Sequence, residues 1–324
     1  MVTTLNRSQL KNIPQTGEMT SGLAAVVGNT PLLPLHRVAN HIWPSVQLYA
    51  KAEWFNPGGS VKDRPALNIL KKALEEGLLT PEKHLLDSTS GNMGIAYATL
   101  AASMGISVTL TLPENASPER IKILKALGAE LVLTDPLEGS DGAMLVAQQM
   151  AEEYPSRYYY ANQYDNPANW QAHYQTTGPE IWGQTGGEIT HMVAGMGTSG
   201  TITGTTRYLR KMNPAVRSIA FYPDSPFHGL EGLKYMPSSH KPGIYDPNLP
   251  DEIRQVATED AYEMVRRLGR EEGLFVGISS GAAAIAALTV AEEIAERGER
   301  GVVVTVFPDA GYKYLTSNIW EKTE

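Results

Sequence analysis

Short apolar runs alternate along most of the chain with longer stretches whose apolar residues recur every third or fourth position. The runs VQLYAKAEW (46–54), HLLDST (84–89), ISVTLTLP (106–113), AELVLTD (129–135), ITHMVAG (189–195), VRSIAFYP (216–223) and GVVVTVF (301–307) read as strands. The stretches 65–77, 94–105, 117–128, 142–154, 200–212, 257–273 and 281–298 have helical spacing. Ser117, followed by Pro118, is predicted to cap the helix at 117–128. Strands separated by helices in this way predict an α/β protein with mainly parallel sheets and crossover helices. The polar break NQYDNPANW (162–170) predicts a boundary between two such sheets. Residues 223–255 differ: they are rich in Pro, Gly and Ser and lack a period, which predicts a long functional or mobile loop.

Composition removes several function classes. The 324 residues carry a formal net charge of −8 and no long basic run, so a nucleic-acid partner is not expected. The absence of cysteine excludes disulfides, thiolate metal sites and a cysteine nucleophile. Of the seven histidines only His36 and His41 stand at a spacing that suits a metal, with no acid beside them, and no metal is expected. The polar start MVTTLNRSQLKNIPQTGEMTSG lacks the apolar core of a signal peptide, and no run of about 18 apolar residues follows. A soluble cytoplasmic protein that spans no membrane is the expectation.

Four glycine-rich turns carry the chemistry. Gly195-Met196-Gly197-Thr198-Ser199-Gly200 follows a predicted strand and opens a predicted helix, in the pattern G-x-G-x-x-G. Such a turn aims backbone N–H groups at an anion. Thr198, Ser199 and Thr201 add hydroxyl donors that suit a terminal phosphate. The ribose-binding acid that a dinucleotide needs about 20 residues on is replaced by Ala220, with Asp224 a weak substitute. A phosphate monoester is therefore favoured, with an NAD-binding protein as the alternative. Gly277-Ile278-Ser279-Ser280-Gly281 matches the nucleophile elbow of hydrolases, but no histidine follows His240 to complete a triad. Ser279 is left as a hydroxyl on a helix-opening turn, able to serve as an N-cap. In DSTSGNMGIAYA (87–98), Thr89, Ser90, Gly91 and Asn92 lie between a strand and a helix and suit a carboxylate or phosphate. The fourth turn, NPGGSVKDRPA (56–66), lacks the spacing of a Walker loop. With anions served elsewhere, Lys62 is free for covalent work, as an amine that forms an imine with the aldehyde of pyridoxal 5′-phosphate.

Taken together, GNTPL (28–32), NPGGSVKDRPA (56–66), TSGNMG (89–94), NPAN (166–169), TTGPEIW (176–182), GMGTSGTITG (195–204) and GISSGAA (277–283) resemble the pyridoxal-phosphate-dependent cysteine synthases over about 28–315. The resemblance implies the fold of the tryptophan synthase β-subunit, with the cofactor in a cleft between two α/β domains. It places 1–46 and 164–324 in a larger cofactor-binding domain and 47–163 in a smaller, mobile domain that closes over the substrate. It implies Lys62 as the Schiff-base and catalytic lysine and Asn92 at the cofactor's ring hydroxyl. Gly197, Thr198, Ser199, Gly200 and Thr201 would hold its phosphate, and Ser279 would face the pyridine nitrogen. Thr89, Ser90, Gly91, Met93 and Gln163 would bind the substrate. The reaction implied is β-replacement, in which O-acetyl-L-serine and sulfide give L-cysteine and acetate through an aminoacrylate intermediate. Partners implied are an amino-acid substrate, sulfide, a second copy in a homodimer, and the C-terminal tail of serine acetyltransferase.

Two positions bear on the substrate. Met93 stands where many cysteine synthases have threonine, as it does in plant β-cyanoalanine synthases, which raises cyanide as a nucleophile. The loop GLEGLKYMPSSHKPGIYDP (229–247) looks like that of the B-type enzymes, with Lys234 about where an arginine stands. Lysine keeps the charge and loses the bidentate fork. O-Acetylserine is thus expected, with O-phosphoserine or thiosulfate, β-cyanoalanine or cystathionine formation as enzymatic alternatives. A non-catalytic relative that binds a partner's C-terminal tail is the alternative of another class.

Overall fold

Residues 22–89 and 91–320 are described by a computed structural model. In chain order the elements are β1 (Leu32–Pro34), β2 (Val46–Ala52), α1 (Asp63–Glu75), β3 (His84–Ser88), α2 (Asn92–Ser103), β4 (Val108–Pro113), α3 (Pro118–Ala126), β5 (Glu130–Thr134), α4 (Gly139–Glu153) and β6 (Tyr158–Tyr160). They continue with α5 (Ala168–Gln175), α6 (Thr177–Gln184), β7 (His191–Gly195), α7 (Gly200–Met212), β8 (Arg217–Pro223), β9 (Glu252–Val256), α8 (Thr258–Arg267), α9 (Ile278–Glu296) and β10 (Gly301–Phe307). The chain divides into two units, the larger Gly28–Pro65 with Tyr164–Glu324, the smaller containing Ala66–Gln163 and the segment up to Val27.

The larger unit is built on a six-stranded sheet in the order β1-β2-β10-β7-β8-β9, parallel except for β1 against β2. Every residue of β10 is buried, because it lies inside the sheet with both faces covered. Its side chains alternate between two cores. Val303 and Phe307 join Leu48, Val193, Ile219 and the apolar faces of α8 and α9, whereas Val302, Val304 and Val306 join Met192, Ala194, Ile202 and Leu209. By length and composition α9 passes for a membrane-crossing helix, but most of its apolar window is buried in the first of these cores. A Cβ at Gly281 would collide with the carbonyl oxygen of Ala261, so glycine is what lets α9 approach α8 this closely.

The smaller unit has a four-stranded parallel sheet in the order β5-β4-β3-β6. Helix α4 lies against it, with Leu86, Ala147 and Tyr158 forming a core and the Thr111 hydroxyl donating to Ala143 O at 2.7 Å.

The expected α/β class with mainly parallel sheets is present, and four details differ from the sequence reading. Strand β2 pairs with β10 along its whole length, so 47–65 belong to the larger unit, and 22–27 go with the smaller. Ser117 makes no capping bond; its hydroxyl donates to Glu119 Oε2 at 2.7 Å, while Pro118 does open α3. Ser279 is inside α9, whose N-cap is Gly277. The aperiodic stretch 223–255 ends in β9, an edge strand recognisable only from its pairing with β8. The Asn/Pro-rich break continues into α5 and α6, which carry no strong apolar stripe.

Gly281→Ala is expected to lose about 1–3 kcal/mol by overpacking the α8–α9 crossing. Urea denaturation of the variant beside the wild type checks this, and equal midpoints would show that the crossing has room to spare.

Candidate functional site

The turn before Lys62 is shaped by Gly58, Gly59 and Asp63. Gly59 has φ +74°, a conformation that favours glycine, and a Cβ at Gly58 would strike the Asp63 carboxylate. Asp63, at the head of α1, accepts the Gly58 N–H at 2.6 Å. Burial pushes the Asp63 carboxyl up to about 7, with the Gly58 N–H and the Lys313 ammonium opposing. The Ser60 hydroxyl accepts the Lys62 N–H at 3.2 Å, and Lys313 Nζ donates to Gly58 O and Gly59 O at 3.2 and 3.1 Å. Beyond β10, the segment 308–310 is bridged on one side to Ser60 and Val61 and on the other to Val276 and Gly277. Lys62 and the start of α9, with Ser279, thereby flank the same strand end.

Lys62 is half-buried. Loss of hydration lowers its pKa from the ordinary lysine value, and Asp309 opposes this. A larger neutral fraction at neutral pH suits an amine that attacks a carbonyl.

Two residues after Lys62, Arg64 anchors a buried ion cluster. Its Nε and Nη2 donate to the two oxygens of Glu53 at 2.7 and 2.8 Å, and Nη1 and Nη2 to those of Glu180 at 2.7 and 2.8 Å. Lys51 Nζ lies 2.6 Å from Glu180 Oε2 and also donates to Thr30 O. The main-chain N–H of Asn29 donates to Glu180 Oε1 at 2.9 Å, and the Thr30 hydroxyl donates to Glu53 at 2.7 Å. Burial works against the Glu180 charge, but Arg64 and Lys51 outweigh it and hold the carboxyl at about 2.

The glycine-rich loop follows β7. A Cβ at Gly197 would collide with Gly232 O, and one at Gly200 with the Asn169 amide, so both glycines serve close packing as well as anion access. Asn169 Nδ2 donates to Thr198 Oγ1 at 3.0 Å. Ser199 is in the left-handed region at φ +67°, and Gly200 and Thr201 open α7. His173, buried on α5, contacts Thr201 Oγ1 through Nε2 at 3.3 Å and Thr177 Oγ1 through Nδ1 at 2.9 Å. Burial, then the charges of Arg64 and Lys62, hold His173 well below its ordinary pKa and therefore neutral. Lys234 donates its main-chain N–H to Met196 O at 2.9 Å, and its ammonium lies 4.5 Å from the Tyr164 ring centroid. His36 stacks on Trp43 and His41 pairs with Glu292, so each has a separate structural contact.

In the smaller unit, Thr89, Gly91, Asn92 and Met93 form the turn from β3 into α2, and Ser90 lies outside the described residues. The Thr89 hydroxyl oxygen accepts the N–H groups of Gly91 and Gly94, each at 3.3 Å, which leaves its own proton to donate. Met93 is buried. Gln163 is buried too, and its Nε2 donates to Ser88 O at 3.1 Å. The larger unit thus brings Lys62, 197–201, Ser279 and Lys234 into one framework, and the smaller brings Thr89, Gly91, Asn92, Met93 and Gln163 into another.

A family model described as pyridoxal-phosphate dependent enzyme matches residues 23–309. The cysteine synthase of Aquifex aeolicus is 53% identical over 91% of this chain and 90% of its own length. Cysteine synthase B of Pseudomonas aeruginosa is 42% identical, over 92% and 97%. The crystal structure of a cysteine synthase from Entamoeba histolytica superposes with a TM-score of 0.88 at 36% identity, covering 94% of this chain and 91% of that one. The chain belongs to the pyridoxal-phosphate dependent enzymes, on their cysteine synthase branch.

The residues present fit the cofactor of that family. Ser199 Oγ is buried at the start of α7 with no hydrogen-bond partner among the described residues, a cost that a bound phosphate would relieve. In this family member the sequence reading missed His173, Arg64, Glu180, Asp309 and Lys313.

Glu180 has its pKa lowered on folding, so its stabilising contribution is complete above about 4.5 and is lost as pH falls toward 2. Glu180→Gln is expected to cost about 3 kcal/mol at pH 7 and to flatten the acid limb of the stability curve between those values. Denaturation midpoints from pH 2 to 7 check this; parallel curves for variant and wild type would contradict it.

Proposed function

We propose that this chain is a cysteine synthase that converts O-acetyl-L-serine and sulfide to L-cysteine and acetate. The observation that carries the reading is the placement of Lys62: a half-buried lysine with a lowered pKa, on a turn bridged to the strand end that also meets the start of α9, with its charge acting on the neutral His173. Its likeness to the cysteine synthase of Aquifex aeolicus supports this reading. Pyridoxal phosphate, when bound, supplies the electron sink that lets the α-proton and then the β-substituent depart.

The chain's own residues do the rest. Lys62 would hold the cofactor, and its Nζ takes the proton from the substrate's Cα and returns it there. The Cβ–O bond to acetate breaks and a Cβ–S bond to hydrosulfide forms, so atoms and charge balance. Gly197, Thr198, Ser199, Gly200 and Thr201 would hold the phosphate, with His173 orienting the Thr201 hydroxyl. Ser279 would face the ring nitrogen with a neutral hydroxyl. Asn92 would meet the ring hydroxyl. Thr89, Ser90, Gly91, Met93 and Gln163 would bind the substrate, in the smaller unit whose movement belongs to the same reading. A homodimer, cytoplasmic location and docking of the serine acetyltransferase C-terminal tail go with it as further proposals.

One observation favours a second reading. The Lys234 loop is tied through its main chain to Met196 in the glycine-rich turn, which supports a role for its charge with anionic O-phosphoserine or thiosulfate.

The resting enzyme is expected to be yellow, to shift its absorbance to longer wavelength with O-acetyl-L-serine alone, and to recover on adding sulfide. Response only to O-phosphoserine would transfer the assignment to the second reading; no visible band after supplying the cofactor would overturn both. Lys62→Ala is expected to lose the wild-type band and at least about 10²–10⁴ in turnover, measured as cysteine formed.

A further inference from the structure

Asp87 is the penultimate residue of β3, an interior strand of the smaller unit's sheet, and is fully buried. An acid in such a place is costly unless its hydrogen bonds serve something. Its Oδ1 accepts the Ser88 N–H at 2.9 Å, and the main-chain N–H of Gln163 also acts on the carboxyl. Gln163 in turn donates its side-chain amide to Ser88 O at 3.1 Å. A closed ring therefore runs from the Asp87 carboxyl through both peptide groups and the Gln163 side chain. It joins the end of β3 to the chain beyond β6, where Ala161 N–H also donates to Leu86 O at 2.9 Å. The next residue, Thr89, is fixed by donating its N–H to Thr111 O at 3.1 Å.

Among the described residues no cation acts on the carboxyl. Burial pushes the Asp87 carboxyl up to about 7, opposed by the Ser88 and Gln163 N–H groups and by the neighbouring Tyr97 hydroxyl, itself fully buried. An apolar residue would fill the strand at less cost, but no apolar residue could grip two amides from separate segments.

We propose that Asp87 is a positioning residue: by holding the Ser88 and Gln163 main chains together it fixes the turn that starts at Thr89 and the Gln163 side chain, and so sets affinity for the carboxylate of the amino-acid substrate. This rests on the reading of Thr89 and Gln163 as carboxylate-binding residues given above. Its effect falls on binding of the amino acid and not on the sulfur nucleophile or the cofactor.

The test is Asp87→Asn in the full-length holoenzyme. Asparagine keeps the shape and one acceptor oxygen but cannot ionise, so its grip on the two amides loses the assistance of charge. The KM for O-acetyl-L-serine is expected to rise at least about tenfold. The kcat is expected to fall less than about threefold, with the KM for sulfide and the resting absorbance unchanged. Asp87→Glu, which restores a carboxylate, is expected to bring that KM back to within about threefold of wild type. If D87N does not fold, Asp87→Ser, which can satisfy one amide only, is expected to show the same selective rise. A folded D87N or D87S whose KM for O-acetyl-L-serine matches the wild type, with only a lower melting temperature, would reduce Asp87 to a structural role and overturn the proposal. Should the wild-type holoenzyme fail to turn over O-acetyl-L-serine, the functional reading would fall, and this inference with it.

Discussion

Four paired charges, the buried Arg64, Glu53 and Lys51 and the partly buried Glu180, hold the larger unit's site in register. Each guanidinium and carboxylate has partners on more than one side, which is the condition under which a buried ion cluster repays its desolvation. Removing any member strands a charge that water cannot reach, so the cluster specifies one arrangement of the chain. That arrangement joins the turn at Gly28–Thr30, the end of β2, the head of α1 and helix α6. Lys62, two residues from Arg64, inherits its position from this junction.

The chemistry asked of Lys62 follows from that placement. A lysine on an open surface stays protonated near its ordinary pKa, strongly hydrated and mobile. Here the surrounding protein strips hydration from the ammonium, while Asp309 stops the shift from going further. Lys313 and the Ser60 bridge hold the turn from the C-terminal side, so both flanks of the lysine are tied to the sheet. A proton carrier and covalent anchor needs such a fixed origin more than it needs extra contacts of its own.

The smaller unit solves a different problem with a different device. Its turn after β3 leads from Thr89 through Gly91 into α2. Rigidity comes from below, where the Asp87 carboxyl and the Gln163 amide lock two peptide groups, and from Thr89, whose hydroxyl closes on Gly91 and Gly94. The larger unit uses charges in pairs, the smaller a single acid close to neutrality.

Much of this protein was legible in its local sequence. Strand and helix runs, the four glycine-rich turns, the polar break at 162–170 and the singular setting of Lys62 depend on periodicity and turn chemistry, which neighbours along the chain decide. Tertiary structure alone decided that β2 belongs beside β10, that Ser117 holds the N-cap position of α3 without a side-chain capping bond, that Ser279 lies inside α9, and that an aperiodic loop ends in an edge strand. It alone decided the partners of Arg64 and Glu180, 116 residues apart, and of Asn29 and Glu180, 151 apart. The physical reason is the same throughout. Backbone propensity and apolar spacing are properties of adjacent residues, whereas a buried charge or amide is defined by whichever group meets it, and sheet pairing chooses that group from anywhere in the chain.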